Sequence, residues 1–359
     1  MIANAIALQR YFHDWLLNLA ALPKVTKLRT CFGEHGVEIT FHDPELASAY
    51  GRALKHSIPS ASAATILNLH VVAQDSSGLS LPKLGWDKTD FSLKRVVPGW
   101  CDNKRTTFLL RTEKGICLIN WEDRLAFVWL PSHRNIPWWE RAAPFRWLAD
   151  QLAQRLGMCT LHCGVVSKDG HGVLFAGPAG AGKSTLTLAC VGHGLDYVGD
   201  DYCLFEYSSE PTCFNLYSSA KWSIEAAVRP SWLSDQLPHE IDESGAKAVL
   251  YIDELPSRAI AGRTRLLAVL MPRLTPHHQA GLEPASPPEA LRRLAPSTIA
   301  QSEADGGFLM GHISRLVKTV PAYHLDMPED TDEPASLVSR LISRLQTDRD
   351  RLRHDAICS

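Results

Sequence analysis

The chain has little net charge and no long apolar run. Lysine and arginine number 37 against 39 aspartate and glutamate residues, giving a formal net charge of −2 over 359 residues. This balance argues against a broad basic surface for nucleic acid or an acidic membrane. No segment holds the roughly 18 uninterrupted apolar residues that a membrane-spanning helix requires. We therefore expect a cytoplasmic protein with neither nucleic acid nor membrane as a partner.

Cysteine pairs of the kind that bind metals or build a disulfide framework are missing. The nine cysteines include no CxxC pair and show no even spacing. This distribution is typical of reduced, mostly buried thiols. Cys159, His162 and Cys163 lie close together in sequence, but no second pair follows to complete a metal site.

The first 25 residues, MIANAIALQRYFHDWLLNLAALPKV, lack the basic segment that opens a signal peptide. Arg10, His13 and Asp14 also interrupt the apolar stretch. The apolar positions are spaced as on one face of an amphipathic helix, namely Leu8, Phe12, Trp15, Leu16 and Leu19.

The rest of the pattern divides the chain into a strand-rich first part and an α/β second part. Five short segments read as strands: VEITFHD, TILNLHVVAQD, TFLLRT, GICLINW and LAFVWL. Their alternation predicts an antiparallel sheet with one covered face. AAPFRWLADQLAQRLG then shows helical spacing up to Gly157. We expect an α+β domain over residues 1–140, an α/β domain with a C-terminal helix over 141–345, and a charged tail over 346–359.

The second part alternates predicted strands and helices. LHCGVVS and GVLFAG flank the turn KDGHG, and a helix is predicted from Ser184 to Val191. Further strands are predicted at DYVGDDYCLFEY, where the charged pair interrupts the strand, and at AVLYIDEL and RLLAVLMPRL, and a helix is predicted at PEALRRL. Near the end, ASLVSRLISRLQTDRDRLRHD predicts a helix with Leu337, Leu341 and Leu345 on one face.

Residues 177–184, GPAGAGKS, match the phosphate-loop pattern GxxxxGK[ST] between a predicted strand and a predicted helix. Glycines let successive backbone N–H groups turn towards phosphates, and the helix adds the positive end of its dipole. The lysine is expected to reach the phosphates and the serine to ligate magnesium. The residues expected to bind nucleotide are Gly177, Pro178, Ala179, Gly180, Ala181, Gly182, Lys183, Ser184 and Thr185.

Two aspartates and a histidine near this loop point to a use for the phosphate. Asp200 and Asp201 follow Lys183 by 17 and 18 residues, in a segment otherwise apolar. Neighbours on a strand face opposite sides, so one carboxylate can serve magnesium and the other an incoming hydroxyl. The alternative is an Asp pair that only caps a turn. His162 precedes the loop on the hairpin strand, which either returns it to the phosphates or uses it structurally.

The stretch from Leu161 to Phe205, LHCGVVSKDGHGVLFAGPAGAGKSTLTLACVGHGLDYVGDDYCLF, resembles the catalytic domain of the HPr serine kinase/phosphorylase family. It is more similar still to HPr-kinase-like proteins, some of them encoded with lasso-peptide and other modified-peptide pathways. A weaker likeness continues through Lys247 to LVKTVPAYHLDMPED. The resemblance implies a phosphoenolpyruvate-carboxykinase-like P-loop kinase domain, preceded by a first domain that resembles no family we can name.

The resemblance also implies roles for the site residues, with ATP and Mg²⁺ as cofactors. Lys183 and the loop amides would bind phosphates, and Ser184 and Asp201 would hold magnesium. Asp200 would accept the substrate proton, and His162 would face the transferred group. Which of the two aspartates plays which role stays open. Four cations are either further phosphate contacts or surface residues: Lys221, Lys247, Arg258 and Arg263.

The chain departs from the HPr kinases at Thr185, where they carry an acidic residue, and throughout the first domain. The expected acceptor is therefore a serine of a peptide or another protein, with the first domain as a recognition module. A hydroxyl of a small molecule is an alternative acceptor. The resemblance also implies an assembly of like subunits.

A different enzyme class is suggested by AVLYIDEL. Asp253 and Glu254 end a predicted buried strand, as in the Walker B motif of a mechanical or switch-type ATPase. That interpretation leaves His162 and the Asp pair without a role. A third class, a binding protein that has lost transfer, conflicts with the intact Lys183 and Ser184.

Overall fold

The computed structural model describes residues 2–18, 25–82, 96–97, 100–110, 114–134, 136–225, 229–242, 244–275 and 279–358. It is a mixed α/β structure with several sheets. The chain divides into two compact units, Met1–Pro144 and Phe145–Ser359. The division falls a few residues beyond the boundary expected near residue 140. Leu19, expected on the apolar face of the N-terminal helix, lies outside the described residues.

The first unit contains one six-stranded sheet and short helices. Its elements are α1 (Ile2–Asn18), β1 (Thr26–Phe32), β2 (His35–Phe41), α2 (Pro44–Gly51), β3 (Thr65–Ala73), α3 (Gln74–Ser77), β4 (Arg105–Leu110), β5 (Gly115–Asn120), β6 (Leu125–Leu130) and α4 (Trp138–Ala142). The strand order is β1-β2-β3-β6-β5-β4. All five predicted strands are confirmed within the described residues.

The sheet is mixed, so the prediction of an antiparallel sheet was wrong. β3 runs parallel to both β2 and β6, while the remaining pairs are antiparallel. The reason is local to the sequence between β2 and β3. Asp43 accepts hydrogen bonds from the N–H groups of Glu45 and Leu46 and so starts α2, which returns the chain for a parallel strand.

The predicted amphipathic N-terminal helix is confirmed as α1. Leu8 and Phe12 are buried in a cluster with Phe127 and Trp100. The Phe12 ring stacks on Phe127 with centroids 5.2 Å apart. Burial of this apolar face, rather than membrane insertion, accounts for the apolar residues of the N-terminus.

Two histidines form a close pair within the first unit. His42 Nε2 lies 3.0 Å from His70 Nδ1, and the rings stack 5.4 Å apart. Burial lowers the pKa of each imidazole to about 4, helped for His70 by the adjacent His42. Both rings are therefore held neutral at pH values where a histidine of the unfolded chain takes up a proton.

This pair predicts acid destabilisation. The folded pKa lies below the unfolded one, so stability is complete above pH 6.5 and is lost as the pH falls towards 4. For each imidazole, linkage changes the free energy of unfolding by up to about 1.4 kcal/mol per pH unit. Because both rings are partly exposed, we expect the two together to change it by about 1 kcal/mol per pH unit. Urea unfolding of the full chain at pH 7, 6 and 5 measures this slope. A His42→Gln/His70→Gln variant should show a shallower slope than a control His13→Gln variant, and equal slopes would contradict the assignment.

The second unit contains a nine-stranded sheet, a three-stranded sheet and helices. Its elements are α5 (Arg146–Arg155), β7 (Cys159–Leu161), β8 (Gly164–Lys168), β9 (His171–Phe175), α6 (Lys183–Gly192), β10 (Asp196–Gly199), β11 (Cys203–Tyr207), β12 (Pro211–Phe214), β13 (Ser219–Ser223), β14 (Glu240–Ile241), β15 (Lys247–Tyr251), β16 (Arg263–Leu274), β17 (Gly281–Ala285), α7 (Pro287–Gln301), α8 (Gly306–Thr319), β18 (Ala322–Met327) and α9 (Asp332–Cys358).

Helices cover both faces of the nine-stranded sheet. Its strands run in the order β10-β8-β9-β16-β12-β11-β7, and β18 pairs with β16 and with β17. Leu174 of β9 packs in a cluster with Leu294 and Ile313 of α7 and α8. The next residue, Phe175, packs with Leu186 of α6 and with residues of α9 on the opposite face. Because side chains alternate along a strand, the run GVLF serves two helical layers at once.

The C-terminal helix is longer than expected. Leu341 is buried against the sheet, and Leu337 and Leu345 are partly buried there, as the spacing predicts. The segment 346–359 is not a separate charged tail, because α9 continues to Cys358. Charged residues do not end an amphipathic helix, because they occupy the face opposite its apolar residues.

Within the described part of the chain, we find no helix that is both long and apolar enough to span a bilayer. The eight cysteines whose side chains are described are free thiols, and six of them are buried, as the sequence predicts.

Candidate functional site

The phosphate-loop sequence forms a strand–loop–helix unit, as predicted. β9 ends at Phe175, and α6 begins at Lys183 with Gly182 as its N-cap residue. Gly180 and Gly182 have φ angles of 80° and 91°. Such left-handed backbone is costly for residues with a Cβ atom, which explains glycine at both positions. The loop therefore meets the N-terminus of α6, where backbone N–H groups and the helix dipole favour an anion.

Lys183 lies folded over this loop. Its side chain is buried, with 5% of the residue surface exposed. The Nζ atom donates to the carbonyl oxygens of Gly177 and Pro178 at 2.9 and 3.1 Å. Burial lowers the pKa of Lys183, although Asp200 and Asp201 oppose that shift. The ammonium group is thus placed at the loop by the loop itself.

The two aspartates occupy a bend between β10 and β11, at the charged pair where the strand is predicted to be interrupted. Asp201 has a φ angle of 68°, in the left-handed region that aspartate tolerates better than most residues. The expectation that strand geometry turns the carboxylates to opposite faces is therefore wrong in its cause. The bend separates them instead.

Asp200 pairs with the loop serine. Its Oδ1 atom accepts a hydrogen bond from Ser184 Oγ at 2.8 Å, and Oδ2 accepts one from the Lys221 N–H at 3.0 Å. Asp200 is buried, and burial followed by the charge of Asp201 raises its pKa. A cation placed beside this carboxylate and hydroxyl would offset that burial cost.

Asp201 pairs with two other side chains. Lys221 Nζ lies 3.1 Å from its Oδ2 atom, and His162 Nε2 lies 3.7 Å from Oδ1. Burial acts to raise the pKa of Asp201, but Lys221 and His162 outweigh it and hold that pKa well below its ordinary value. Asp201 is therefore an ionised acceptor in a site lined with cations.

His162 joins β7 to β8 and lies beside Asp201, with 6% of its surface exposed. Its backbone N–H donates to Thr298 Oγ1 at 3.1 Å, and Gln301 Nε2 lies 3.4 Å from both ring nitrogens. Gln301 also accepts a hydrogen bond from the Tyr202 hydroxyl at 2.8 Å. The C-terminal end of α7 thus fixes the imidazole, an arrangement that no sequence motif signals.

A cleft of about 360 Å³ opens at the loop. The loop–helix junction, the Asp bend, β13 and β15 contribute residues to its wall. These include Lys183, Ser184, Thr185, Asp201, Lys221, Ser223 and Lys247.

Of the four cations considered in the sequence, Lys221 and Lys247 line this cleft. Arg258 and Arg263 are not part of its wall, and the Arg258 guanidinium lies 4.8 Å above the Trp232 ring. Sequence reasoning missed three residues of the wall, Trp222, Ser223 and Leu274. Trp222 and Ser223 directly follow Lys221, and this adjacency is the signal by which the sequence could have indicated them.

The donors at the loop fit magnesium. In the described residues, no three His, Cys, Asp or Glu side chains gather as a metal site of their own. Magnesium commonly takes one or two carboxylates and completes its octahedral shell with phosphate oxygens and water. The adjacent Ser184 hydroxyl and Asp200 carboxylate supply the hard oxygen ligands of such a shared site.

The Walker B interpretation places its acids elsewhere. β15 belongs to the three-stranded sheet, and Lys247 at its start lines the cleft. Asp253 and Glu254 lie in the 3₁₀ turn after its other end, and five extended residues span about 13 Å. Glu254 Oε2 lies 3.9 Å from His239 Nδ1. The carboxylate that pairs with Ser184 is that of Asp200. Asp253 and Glu254 instead lie past the end of β15 that is opposite Lys247.

No family model and no curated protein sequence matches the chain. Among solved structures, the chain is similar to the HPr(Ser) kinase/phosphatase from Coxiella burnetii. The identity is 12%, the match covers 54% of this chain and 98% of that chain, and the TM-score is 0.29. At this identity and TM-score the likeness is a distant one of fold, and it identifies neither an activity nor an acceptor.

Proposed function

We propose that the chain is an ATP- and Mg²⁺-dependent kinase that transfers the γ-phosphate to a hydroxyl, a serine of a peptide or protein. The observation that carries the proposal is the division of the Asp pair around one phosphate loop. Asp200 joins Ser184, while Asp201 lines the cleft together with Lys221 and lies beside His162. A phosphate-loop enzyme that only hydrolyses nucleotide has no need of the second group of side chains, Asp201 with Lys221 and His162. The proposed fold class is a phosphoenolpyruvate-carboxykinase-like P-loop kinase domain.

The nucleotide-binding half of the site is assigned to the loop. Backbone N–H groups of residues 177–184 and the N-terminus of α6 would hold the phosphates, with Lys183 Nζ moving from the loop carbonyls to the phosphate oxygens. Ser184 and Asp200 would hold magnesium, which neutralises charge on the transferred group. This assignment exchanges the two aspartates relative to the roles that the family resemblance implies.

The acceptor half is assigned to Asp201. Transfer forms a bond between the acceptor oxygen and the γ-phosphorus and breaks the bond from that phosphorus to the bridging oxygen, leaving ADP. Lys221 and His162 orient the Asp201 carboxylate, which accepts the hydroxyl proton as the oxygen bonds to phosphorus and becomes strongly acidic, so that a carboxylate of low pKa suffices. In-line transfer needs such positioning and charge neutralisation more than covalent participation by the protein.

The competing ATPase interpretation is tested with Glu254→Gln. We expect this variant to retain phosphate transfer within about twofold of wild type, because Glu254 lies beyond the far end of β15 from the cleft residue Lys247. A mechanical ATPase would instead lose hydrolysis by two orders of magnitude or more on losing the group that activates water. Production of ADP and of free phosphate by both proteins, with the thermal midpoint as a folding control, distinguishes these outcomes. Loss of all ATP turnover in folded Glu254→Gln would contradict the kinase assignment.

A further inference from the structure

One edge of the three-stranded sheet reaches the cleft. The strand order is β13-β15-β14, so β13 pairs with β15 on one side only. Among the described residues, no strand pairs with its other side. The last residue of β13, Ser223, is exposed and lines the cleft. A strand edge that no other described strand pairs can offer main-chain groups to an extended chain at those positions that nothing else occupies.

The ladder shows which residues face outward from β13. Ile252 N–H donates to the Ser218 carbonyl, and Ile224 N–H donates to the Ala246 carbonyl, both at 2.9 Å. Because hydrogen-bonded positions alternate along an antiparallel pair, the residues at 219, 221 and 223 direct their main-chain groups away from β15. Ser223 is therefore one of three outward positions.

The other two outward positions are occupied from within the protein. The Tyr197 hydroxyl donates to the Ser219 carbonyl at 2.5 Å, and the Lys221 N–H donates to Asp200 at 3.0 Å. No described side chain or strand occupies the corresponding groups of Ser223. The edge is thus closed beside the magnesium-binding half of the site and open at Ser223, which lines the cleft.

Ser223 lies close enough to Asp201 for a chain that pairs with it to reach the Asp201 carboxylate. Ser223 is two residues, or about 7 Å, along the strand from Lys221, whose ammonium group contacts Asp201 at 3.1 Å. A paired strand would run about 4.8 Å to the side. A chain that pairs with Ser223 therefore carries a residue one or two positions further along to the Asp201 carboxylate.

The positive charge of Lys247, beside Ser223, indicates which kind of chain would pair there. Lys247 lies directly opposite Ser223 in the register of β13 and β15, is exposed, and lines the cleft. No described carboxylate forms an ion pair with its ammonium group. An acidic side chain close to the acceptor serine would complement this cation.

We propose that the acceptor is an extended peptide segment that pairs its main chain with Ser223, placing a serine beside Asp201 and an acidic side chain near Lys247. The proposal rests on the kinase function proposed above and specifies its substrate class. Main-chain pairing supplies affinity that does not depend on sequence, while Lys247 selects the flanking charge.

The test compares two probes with wild type and Ser223→Pro. One is a degenerate serine-centred peptide library, and the other is N-acetylserine amide, which is too short to pair along a strand. Proline removes the Ser223 N–H at an edge position where it is tolerated. We expect Ser223→Pro to reduce the preference for the library over N-acetylserine amide at least tenfold. Ser223→Ala retains the N–H and should reduce it far less. Lys247→Glu should shift the selected flanking residues from acidic to basic.

A second measurement leaves the protein unchanged. Methylating single backbone nitrogens of the preferred library peptide should weaken transfer at alternate positions, because only every second residue faces the β13 edge. An unchanged preference in folded Ser223→Pro, together with no alternation, would overturn main-chain pairing while leaving the kinase intact. Failure of the wild type to phosphorylate either probe would instead overturn the proposed function and this inference with it.

Discussion

Replacing Lys183 by methionine is expected to lower phosphate transfer at least a thousandfold. The ammonium group is held by two loop carbonyls and is the buried cation of the loop. Methionine retains the apolar stem but removes the charge that would neutralise the transferred phosphate, and preorganised charges of this kind contribute two to three orders of magnitude or more. We expect the affinity for ATP to fall as well, by about tenfold.

Steady-state transfer and equilibrium binding of a non-hydrolysable ATP analogue measure the two effects of Lys183→Met. An exposed lysine of α8, Lys318, provides the matched control, because Lys318→Met removes one charge far from the loop sequence. Equal activity of the two variants would show that Lys183 has no part in transfer.

The two aspartates are expected to differ when each is changed to asparagine. Asp201→Asn should lower kcat by about a hundredfold to ten-thousandfold, the usual contribution of a group that accepts the reacting proton. Its nucleotide affinity should stay close to that of wild type, because Asp201 lies outside the Ser184–Asp200 pair. Asp200→Asn should instead weaken the magnesium dependence of nucleotide binding, since Asp200 accepts the Ser184 hydrogen bond.

Each of these variants serves as the control for the other, because the residues are adjacent and the substitution is the same. Calorimetric titration of the ATP analogue with and without Mg²⁺, followed by transfer assays, separates the two roles. The reverse pattern, with magnesium dependence lost in Asp201→Asn and retained in Asp200→Asn, would restore the roles that the family resemblance implies.

The phosphate loop could be predicted from sequence because its chemistry is local. The sequence from β9 (His171–Phe175) to Lys183 specifies a strand, a glycine-rich turn and a helix start, and the structure confirms each. The amphipathic helix α1 and the helix α9 could be predicted for the same reason. Their apolar spacing determines a buried face regardless of what covers it.

The division of the Asp pair could not be predicted from local pattern. It depends on the left-handed backbone of Asp201 and on Lys221, which reaches the bend from β13. Gln301 and Thr298 reach His162 from α7, more than a hundred residues later in the chain. The mixed first sheet was missed similarly, because alternation reports which face of a strand is buried and not the direction of its neighbour.

The measurement that tests the central claim most directly follows the γ-phosphate of labelled ATP. Wild-type protein and Lys183→Met are incubated with Mg²⁺ and the serine-centred peptide library, and label is counted on peptide and as free phosphate. We expect label on peptide serine from wild type, lost in Lys183→Met and reduced in Asp201→Asn. Label released only as free phosphate, at a rate that Asp201→Asn leaves unchanged, would contradict the account.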